Sequence, residues 1–209
     1  MHRILVSFCL FLCLSVSQAF SQSQKLNDPK ELFGKLKETS KNTQTIKASF
    51  TEEKFSSDVK EPIKSTGMFY YKKDKKLRWE KIKPVQFIFL VSGDKARIKE
   101  DGKEKNISSF NESVGKIKDL MLILVNGEFQ DNKMFRTECY KNGKNYQIKL
   151  FPKNKRMAKV FDYVFLTFSG ETMRLKEMDF FEKNGDKSEM KFYNDVVNVA
   201  LEDKLFENF

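Results

Sequence analysis

Histidine and cysteine, the residues that most often carry catalysis or hold metals near neutral pH, are almost missing from this chain. It contains one histidine, His2, and three cysteines, Cys9, Cys13 and Cys139. Serine and cysteine nucleophiles are usually activated by histidine, and zinc is usually held by histidine and cysteine side chains. Because we expect the segment with His2, Cys9 and Cys13 to be removed, only Cys139 would remain in the mature chain. The sequence therefore predicts no catalytic triad, no metal site, no cofactor and no internal disulfide.

Cys139 and the carboxylates are the reactive side chains that would remain. Without a histidine to activate it, the Cys139 thiol is predicted to be structural and not nucleophilic. The 29 Asp and Glu residues are scattered along the chain, and no pair of them stands out as the acid and base of a hydrolase. We therefore predict that the protein is not an enzyme. A carboxylate-based hydrolase stays open as an alternative, and it requires an acidic pair in an open cleft.

The chain is strongly basic, with 39 Lys and Arg against 29 Asp and Glu and a net charge of +10. A basic exported protein could meet anionic membranes, acidic glycans or nucleic acid. The lysines are spread through candidate turns such as residues 72–76 and 153–156, a pattern typical of exposed loops that keep a protein in solution. No nucleic-acid recognition motif accompanies the charge, so we predict no nucleic-acid partner.

The N-terminal segment has the pattern of a secretory signal peptide. Arg3 gives a basic start, an apolar run extends from Ile4 to Leu14, and the small residues Ser17 and Ala19 precede an expected cut after Ala19. The apolar run is too short to span a bilayer. No cysteine follows the cut as a lipid anchor would require. We predict that residues 1–19 are a signal peptide and that residues 20–209 form one soluble, monomeric domain that is not embedded in the membrane.

The mature chain is predicted to be a strand-rich α+β domain. Asp28, Pro29 and Glu31 have the spacing of a helix cap with a capping box, before an apolar stripe that runs to about Lys41. From Thr45 onward, short alternating segments separated by turn residues indicate about nine to eleven antiparallel strands. Residues 111–125 interrupt them with helical spacing. A sheet of this size must curl, so we predict a half-barrel whose concave face is covered by helices.

Apolar side chains exceed what a sheet with one buried face requires. Residues 67–71 and 87–91 are apolar at successive positions, so both faces of these strands are covered or one face lines a cavity. Alternation along the strands and the helical spacing of residues 111–125 predict an apolar cavity lined by Phe69, Tyr71, Leu77, Trp79, Phe87, Phe89, Ala96, Ile98, Ile117, Met121 and Leu124. Aromatic-rich strands also form plain cores, so an exported structural β-protein with a solid core stays open.

Several short motifs, in order, resemble one family. They are Ile46–Glu52, Gly67–Lys73, Leu77–Glu80 with Pro84, Val91–Asp94, Met121–Leu124 and Leu205–Phe206. Together they are similar to the LolA type of periplasmic outer-membrane lipoprotein carrier, and the similarity covers essentially the whole mature chain. The acceptor in that system is itself a lipoprotein of similar fold, and the missing lipid-anchor signal favours the carrier.

The resemblance implies a half-barrel of eleven strands with a lid helix. It implies a periplasmic protein that accepts acylated lipoproteins from an inner-membrane releasing complex, shields their acyl chains, and passes them to an outer-membrane acceptor. Family members carry an arginine that ties the lid to the barrel, and here Lys73–Asp74 stands at the matching turn. Lysine lacks the planar fork of arginine but can reach helix carbonyls, so Lys73 is predicted to be the lid latch. A half-barrel that senses lipids or lipoproteins and regulates a signalling partner stays open.

Overall fold

The computed structural model describes residues 23–105, 111–130, 132–155 and 157–209, and it describes the side chains of the helix at 111–126 from Lys118 onward. The predicted signal peptide, residues 1–19, lies outside these ranges. Among the helices in them, none combines the length and the apolar character needed to cross a bilayer.

Within the described ranges, the chain forms twelve strands and three helices. The strands are β1 (Gln24–Lys25), β2 (Thr45–Phe55), β3 (Ile63–Lys72), β4 (Lys76–Lys83), β5 (Phe87–Ser92), β6 (Lys95–Glu100), β7 (Lys103–Lys105), β8 (Phe135–Asn142), β9 (Asn145–Pro152), β10 (Phe161–Phe168), β11 (Leu175–Glu182) and β12 (Lys187–Val197). The helices are α1 (Lys30–Lys41), α2 (Asn111–Asn126) and the short α3 (Met157–Val160), and a 3₁₀ turn spans Asp203–Phe206.

All twelve of these strands belong to one curved antiparallel sheet, which confirms the predicted α+β fold. Their order is β1-β8-β9-β10-β11-β12-β2-β3-β4-β5-β6-β7. The last strand of the chain, β12, pairs with β2, so the two halves of the chain join in the middle of the sheet. Among the described residues, the edge strands β1 and β7 comprise two and three residues. They are too short to be found by alternation.

The inner face of the sheet is built from rows of apolar side chains at paired positions. One row runs Ala48, Phe69, Trp79, Phe89 and Ile98 across β2 to β6. A second row in the other half runs Ile148, Leu166, Met178 and Met190 across β9 to β12. Helices α1 and α2 cover this face, and their apolar side chains join the same core. The helix predicted at residues 111–125 is confirmed as α2.

The outer face of β4 and β5 is covered by the C-terminal segment. The guanidinium of Arg78, which is buried, donates to the carbonyl oxygens of Leu205 and Asn208 at 3.3 and 2.7 Å. Phe206 is fully buried, and so are Ile88 and Leu90 of β5. These contacts explain the second apolar face of residues 87–91, because β5 has a covered side chain at every position from Ile88 to Val91.

The start of α1 differs in part from the prediction. The carboxylate of Asp28 accepts a hydrogen bond from the backbone N–H of Lys30 at 3.1 Å, so Asp28 does satisfy one free N–H at the helix start. The capping box is wrong, because the carboxylate of Glu31 turns outward to the ammonium of Lys35, 2.6 Å away. Helix α1 begins at Lys30, which leaves Glu31 too close to the start to reach back as a third helical residue would.

Candidate functional site

Two apolar cavities lie between the inner face of the sheet and the cover helices, α1 and α2. The first has a volume of about 100 Å³ and lies where α1 and the end of α2 cross β2, β3, β11 and β12. The second has a volume of about 210 Å³ and lies towards the other end of the same strands. Both are lined mainly by aromatic and aliphatic side chains. The interior therefore holds space suited to hydrocarbon, next to a core that is otherwise well filled.

Seven of the predicted lining residues contact a cavity. Phe69, Trp79, Met121 and Leu124 line the first cavity, and Phe87, Phe89 and Ile98 line the second, together with Trp79 and Met121 again. Tyr71, Leu77 and Ala96 line neither cavity. They form the next row of side chains towards the β3–β4 turn, where Leu77 and Tyr71 are packed in the core. The side chain of Ile117 lies outside the described part of α2.

Trp79 of β4 and Met121 of α2 line both cavities, so these two side chains form a partition between them. The indole of Trp79 packs edge-on against the rings of Phe50 and Phe69, with ring centroids 5.3 and 6.3 Å away. Its Nε1–H is buried and has no hydrogen-bond partner among the described residues. Methionine is flexible and repacks easily, so the α2 side of the partition can yield more readily than the β4 side.

The far wall of the first cavity was not predicted from the sequence. This wall comes from β10, β11 and β12, including Phe168, Met178 and Phe192, and the mouth of the cavity holds an ion pair in which Arg174 and Asp195 are 2.9 Å apart. Alternation along β12 does mark Phe192 as an inward residue. The pairing of β12 with β2, which carries Phe192 to Phe50 and the cavity, spans most of the chain and leaves no local signal.

The second cavity ends in charged and polar groups. The ammonium of Lys81 lies 2.5 Å from the carboxylate of Glu52, whose residue is only 6% exposed. Glu182 and Ser188 also line this end, and Lys54 lies 3.8 Å from Glu182. A buried carboxylate needs a partner of opposite charge, which Lys81 supplies. The cavity is thus amphipathic, with an aromatic interior and an ion-paired opening.

The two cover helices are tied to each other and to the sheet. The hydroxyl of Ser40 on α1 donates to the carbonyl oxygen of Val125 on α2 at 2.8 Å. Gly127 ends α2 with a positive φ of 64°, and a Cβ there would lie 2.8 Å from the carbonyl oxygen of Leu36. The ammonium of Lys73 donates to the carbonyl oxygen of Lys41, the last residue of α1, at 3.2 Å. The Lys73 ammonium therefore contacts the end of α1, and α1 in turn contacts α2.

Neither Cys139 nor Asp179, a carboxylate whose pKa is raised, lines a cavity. Burial raises the pKa of the Cys139 thiol to about 12, so the thiol is protonated near neutral pH. Burial, with the neighbouring carboxylate of Glu189, raises the pKa of Asp179 to about 6. Asp179 lies between the inward residues Met178 and Phe180, so it is on the outer face and away from both cavities. The described residues contain no group of His, Cys, Asp and Glu that could hold a metal ion.

A family model and two similar proteins point to the same family. The family model described as outer membrane lipoprotein carrier protein LolA matches residues 41–208. An outer-membrane lipoprotein carrier protein from Methylococcus capsulatus is 27% identical over 176 residues, which cover 83% of this chain and 81% of that protein. A protein of the same name from Dechloromonas aromatica is 26% identical over 162 residues, covering 77% of this chain and 75% of its own.

Solved structures resemble the chain more distantly. A LolA superfamily protein from Nitrosomonas europaea has a TM-score of 0.43 and 10% sequence identity, over 85% of this chain and 96% of that protein.

Proposed function

Since this chain belongs to the LolA family of outer-membrane lipoprotein carrier proteins, we propose that it binds the acyl chains of lipoproteins in its interior and shuttles them through the periplasm. The inner membrane is the source of the cargo and the outer membrane is its destination. The observation that carries this proposal is the pair of apolar cavities under the helices α1 and α2. The role is binding and transfer without catalysis.

The energetic need for a carrier follows from the cargo. Moving an acyl chain out of a bilayer into water costs about 0.8 kcal/mol for each CH₂ group, so one long chain costs about 10 kcal/mol. A lipoprotein with several chains therefore cannot cross the aqueous periplasm alone. An interior lined by side chains such as Phe69, Phe89 and Met190 offsets that cost because it keeps the chain away from water.

The closed arrangement explains how such a carrier could also release its cargo. The cavities are small for several acyl chains, so a chain enters by displacing Met121 and Leu124 of α2 from the inner face. Withdrawal of Met121 opens the partition at Trp79 and joins the two cavities into one continuous site. The protein's own side chains refill the space on release. This competition keeps the net affinity moderate and permits transfer to a more apolar acceptor.

The proposal also includes the cellular location of the protein and its partner proteins. Residues 1–19 direct export and are removed after Ala19, and the mature protein acts in the periplasm as a monomer. An inner-membrane lipoprotein-releasing complex supplies the cargo, and an outer-membrane acceptor receives it. These partners are inferred from the family to which the chain belongs.

Quenching of Trp79 tests whether acyl chains enter the interior. Trp79 is the only tryptophan and lines both cavities, so a brominated fatty acid is expected to quench its fluorescence in a saturable manner. The matched control is the double variant Trp79→Phe with Tyr193→Trp, which moves the reporter to an exposed position on β12. Quenching that never saturates, or that is equal in the control, would favour a solid core.

A deletion strain separates transport from sensing. Without a transporter, outer-membrane lipoproteins are expected to accumulate in the inner membrane, which membrane fractionation measures directly. Normal sorting in the deletion strain, combined with saturable acyl binding by the purified protein, would instead favour the regulator that senses lipids or lipoproteins.

Removal of the Lys73 ammonium is expected to speed acyl-chain exchange. Lys73→Ala loses the bond to the carbonyl oxygen of Lys41, and a bond of about 1 kcal/mol corresponds to roughly fivefold faster release. Because Lys73 is exposed, the change in unfolding free energy is expected to be within about 0.5 kcal/mol. Stopped-flow release of a fluorescent fatty acid measures the rate. The control is Lys75→Ala in the same turn, whose ammonium pairs with Asp94 and not with α1. Equal rates for both variants would contradict the latch.

A further inference from the structure

Exposed aliphatic side chains are concentrated at one end of the sheet. The loops β2–β3, β4–β5, β9–β10 and β11–β12 meet there, as the pairs Lys54 with Ile63 and Phe181 with Lys187 establish. We call this end the loop rim. It carries five aliphatic residues that are 44–50% exposed, namely Val59, Ile63, Ile82, Val85 and Val160. Exposed aliphatic groups gathered at one end of a molecule mark a surface that can meet an apolar partner.

An outer row of aromatic and cationic side chains runs beside the loop rim. It crosses six neighbouring strands from β8 to β2 through Arg136, Phe151, Tyr163, Phe181, Lys187 and Phe55. The Tyr163 and Phe181 rings stack with centroids 4.2 Å apart, and the Arg136 guanidinium lies 4.0 Å from the Phe151 centroid. The Lys187 ammonium lies 5.1 Å from the Phe181 centroid. Aromatic rings with adjacent cations are typical of surfaces placed at the boundary between lipid and water.

The second cavity opens at the same end of the molecule. Phe161 at the start of β10, Phe87 at the start of β5 and Glu182 at the end of β11 all line it. A surface seated on the loop rim would therefore lie directly against the amphipathic opening of the proposed acyl site.

We propose that the loop rim docks on the surface of a membrane that contains anionic phospholipid. Val59, Val85 and Val160 enter the headgroup region from three separate loops, while the aromatic row lies at the level of the headgroups. Lys60, Lys83 and Lys159 lie next to or near these aliphatic residues in sequence, and the chain as a whole has a charge of +10. Charge complementarity thus favours an anionic surface.

The form of the loop rim favours lipid over a protein partner. A protein interface has a contiguous apolar centre inside a polar edge. Here the five aliphatic groups are divided among three separate connections and have polar neighbours in sequence, as in Asp58-Val59-Lys60. Separate apolar tips suit a fluid surface that adapts around each of them.

Vesicle sedimentation of the purified mature protein tests the proposal. Vesicles of equal parts phosphatidylcholine and phosphatidylglycerol are expected to bind the protein, and added NaCl is expected to weaken binding. Vesicles of phosphatidylcholine alone should bind it far less. The double variant Val59→Asp with Val85→Asp is expected to lose at least about tenfold in affinity, because two apolar tips become anions beside an anionic surface.

The control variant is Val196→Asp with Val199→Asp. These valines are 43% and 37% exposed and lie at the other end of β12, so the chemical change is the same at a different place. The control is expected to bind within about twofold of the wild type. Equal losses in both double variants, or no binding to anionic vesicles by the wild type, would overturn the proposal. Since Val59 and Val85 line neither cavity, Trp79 quenching by free brominated fatty acid should survive in the rim variant, which separates failure of docking from failure of acyl binding.

Discussion

Leu124→Asp is expected to lower the affinity for a fluorescent fatty acid by about 30- to 150-fold. Leu124 lies on α2 and lines the first cavity beside Phe69 and Trp79. An acyl chain in that cavity would strip water from the new carboxylate, and such a burial without a partner costs about 2–3 kcal/mol or more. The empty protein is affected less, because Leu124 is only partly buried and the carboxylate can stay hydrated. Titration with the fluorescent probe measures the affinity.

Two variants control for charge and for size. Asn126→Asp adds the same charge two residues further along α2, at a position that lines neither cavity, so its affinity should stay near that of the wild type. Leu124→Asn introduces a polar side chain of the same size as aspartate but without its charge. The affinity of this variant for the probe should fall between those of Leu124→Asp and Asn126→Asp. If Leu124→Asp binds the probe as tightly as Asn126→Asp, acyl chains do not occupy the first cavity.

Gly67→Ala is expected to lower the free energy of unfolding by about 3 kcal/mol or more, a large effect for a single methyl group. A Cβ at Gly67 would lie 2.1 Å from the backbone carbonyl oxygen of Glu80 and 2.4 Å from Cζ of Phe50. Neither can retreat easily, since Glu80 belongs to β4 and the Phe50 ring is held against Trp79. Denaturant unfolding followed by circular dichroism measures the loss.

Gly34→Ala is the matched control for that substitution. Gly34 lies on the exposed side of α1, and a Cβ there would meet nothing within 4 Å. The same change should therefore raise stability by about 0.5–1 kcal/mol, because alanine favours the helix over glycine. A Gly67→Ala protein as stable as the wild type would mean that the Phe50 ring does not occupy the space beside Gly67. The Phe50 ring would then not hold the Trp79 side of the cavity wall in place.

Local patterns were sufficient to predict the inward-facing positions of β3 and β4 but not how deeply each position is packed. Alternation and the turn at residues 73–76 place Phe69, Tyr71, Leu77 and Trp79 on one face, and the structure has all four on the inner face. The cavity depends on how side chains from distant strands fill the space above each row. Leu77 and Tyr71 are packed there, whereas the neighbouring row is only partly covered and leaves the gaps beside Trp79.

Contacts between the ends of the chain account for most of what alternation could not predict. The pairing of β12 with β2 brings Phe192 to the first cavity, and the C-terminal carbonyl groups bind Arg78 on the outer face. Both depend on partners more than a hundred residues apart. Turn and helix signals act over a few residues and carry no information about such pairs.

The short edge strands β1 and β7 limit how this open sheet can pair with strands of other molecules. A half-barrel leaves two lateral borders where main-chain amides could recruit a strand from another molecule and begin a fibre. Among the described residues, the borders are Gln24–Lys25 and Lys103–Lys105, so an intruding strand would gain few main-chain bonds there and would meet lysine on either side. The sheet can in this way stay open around its apolar cavities while these borders offer little backbone to another copy.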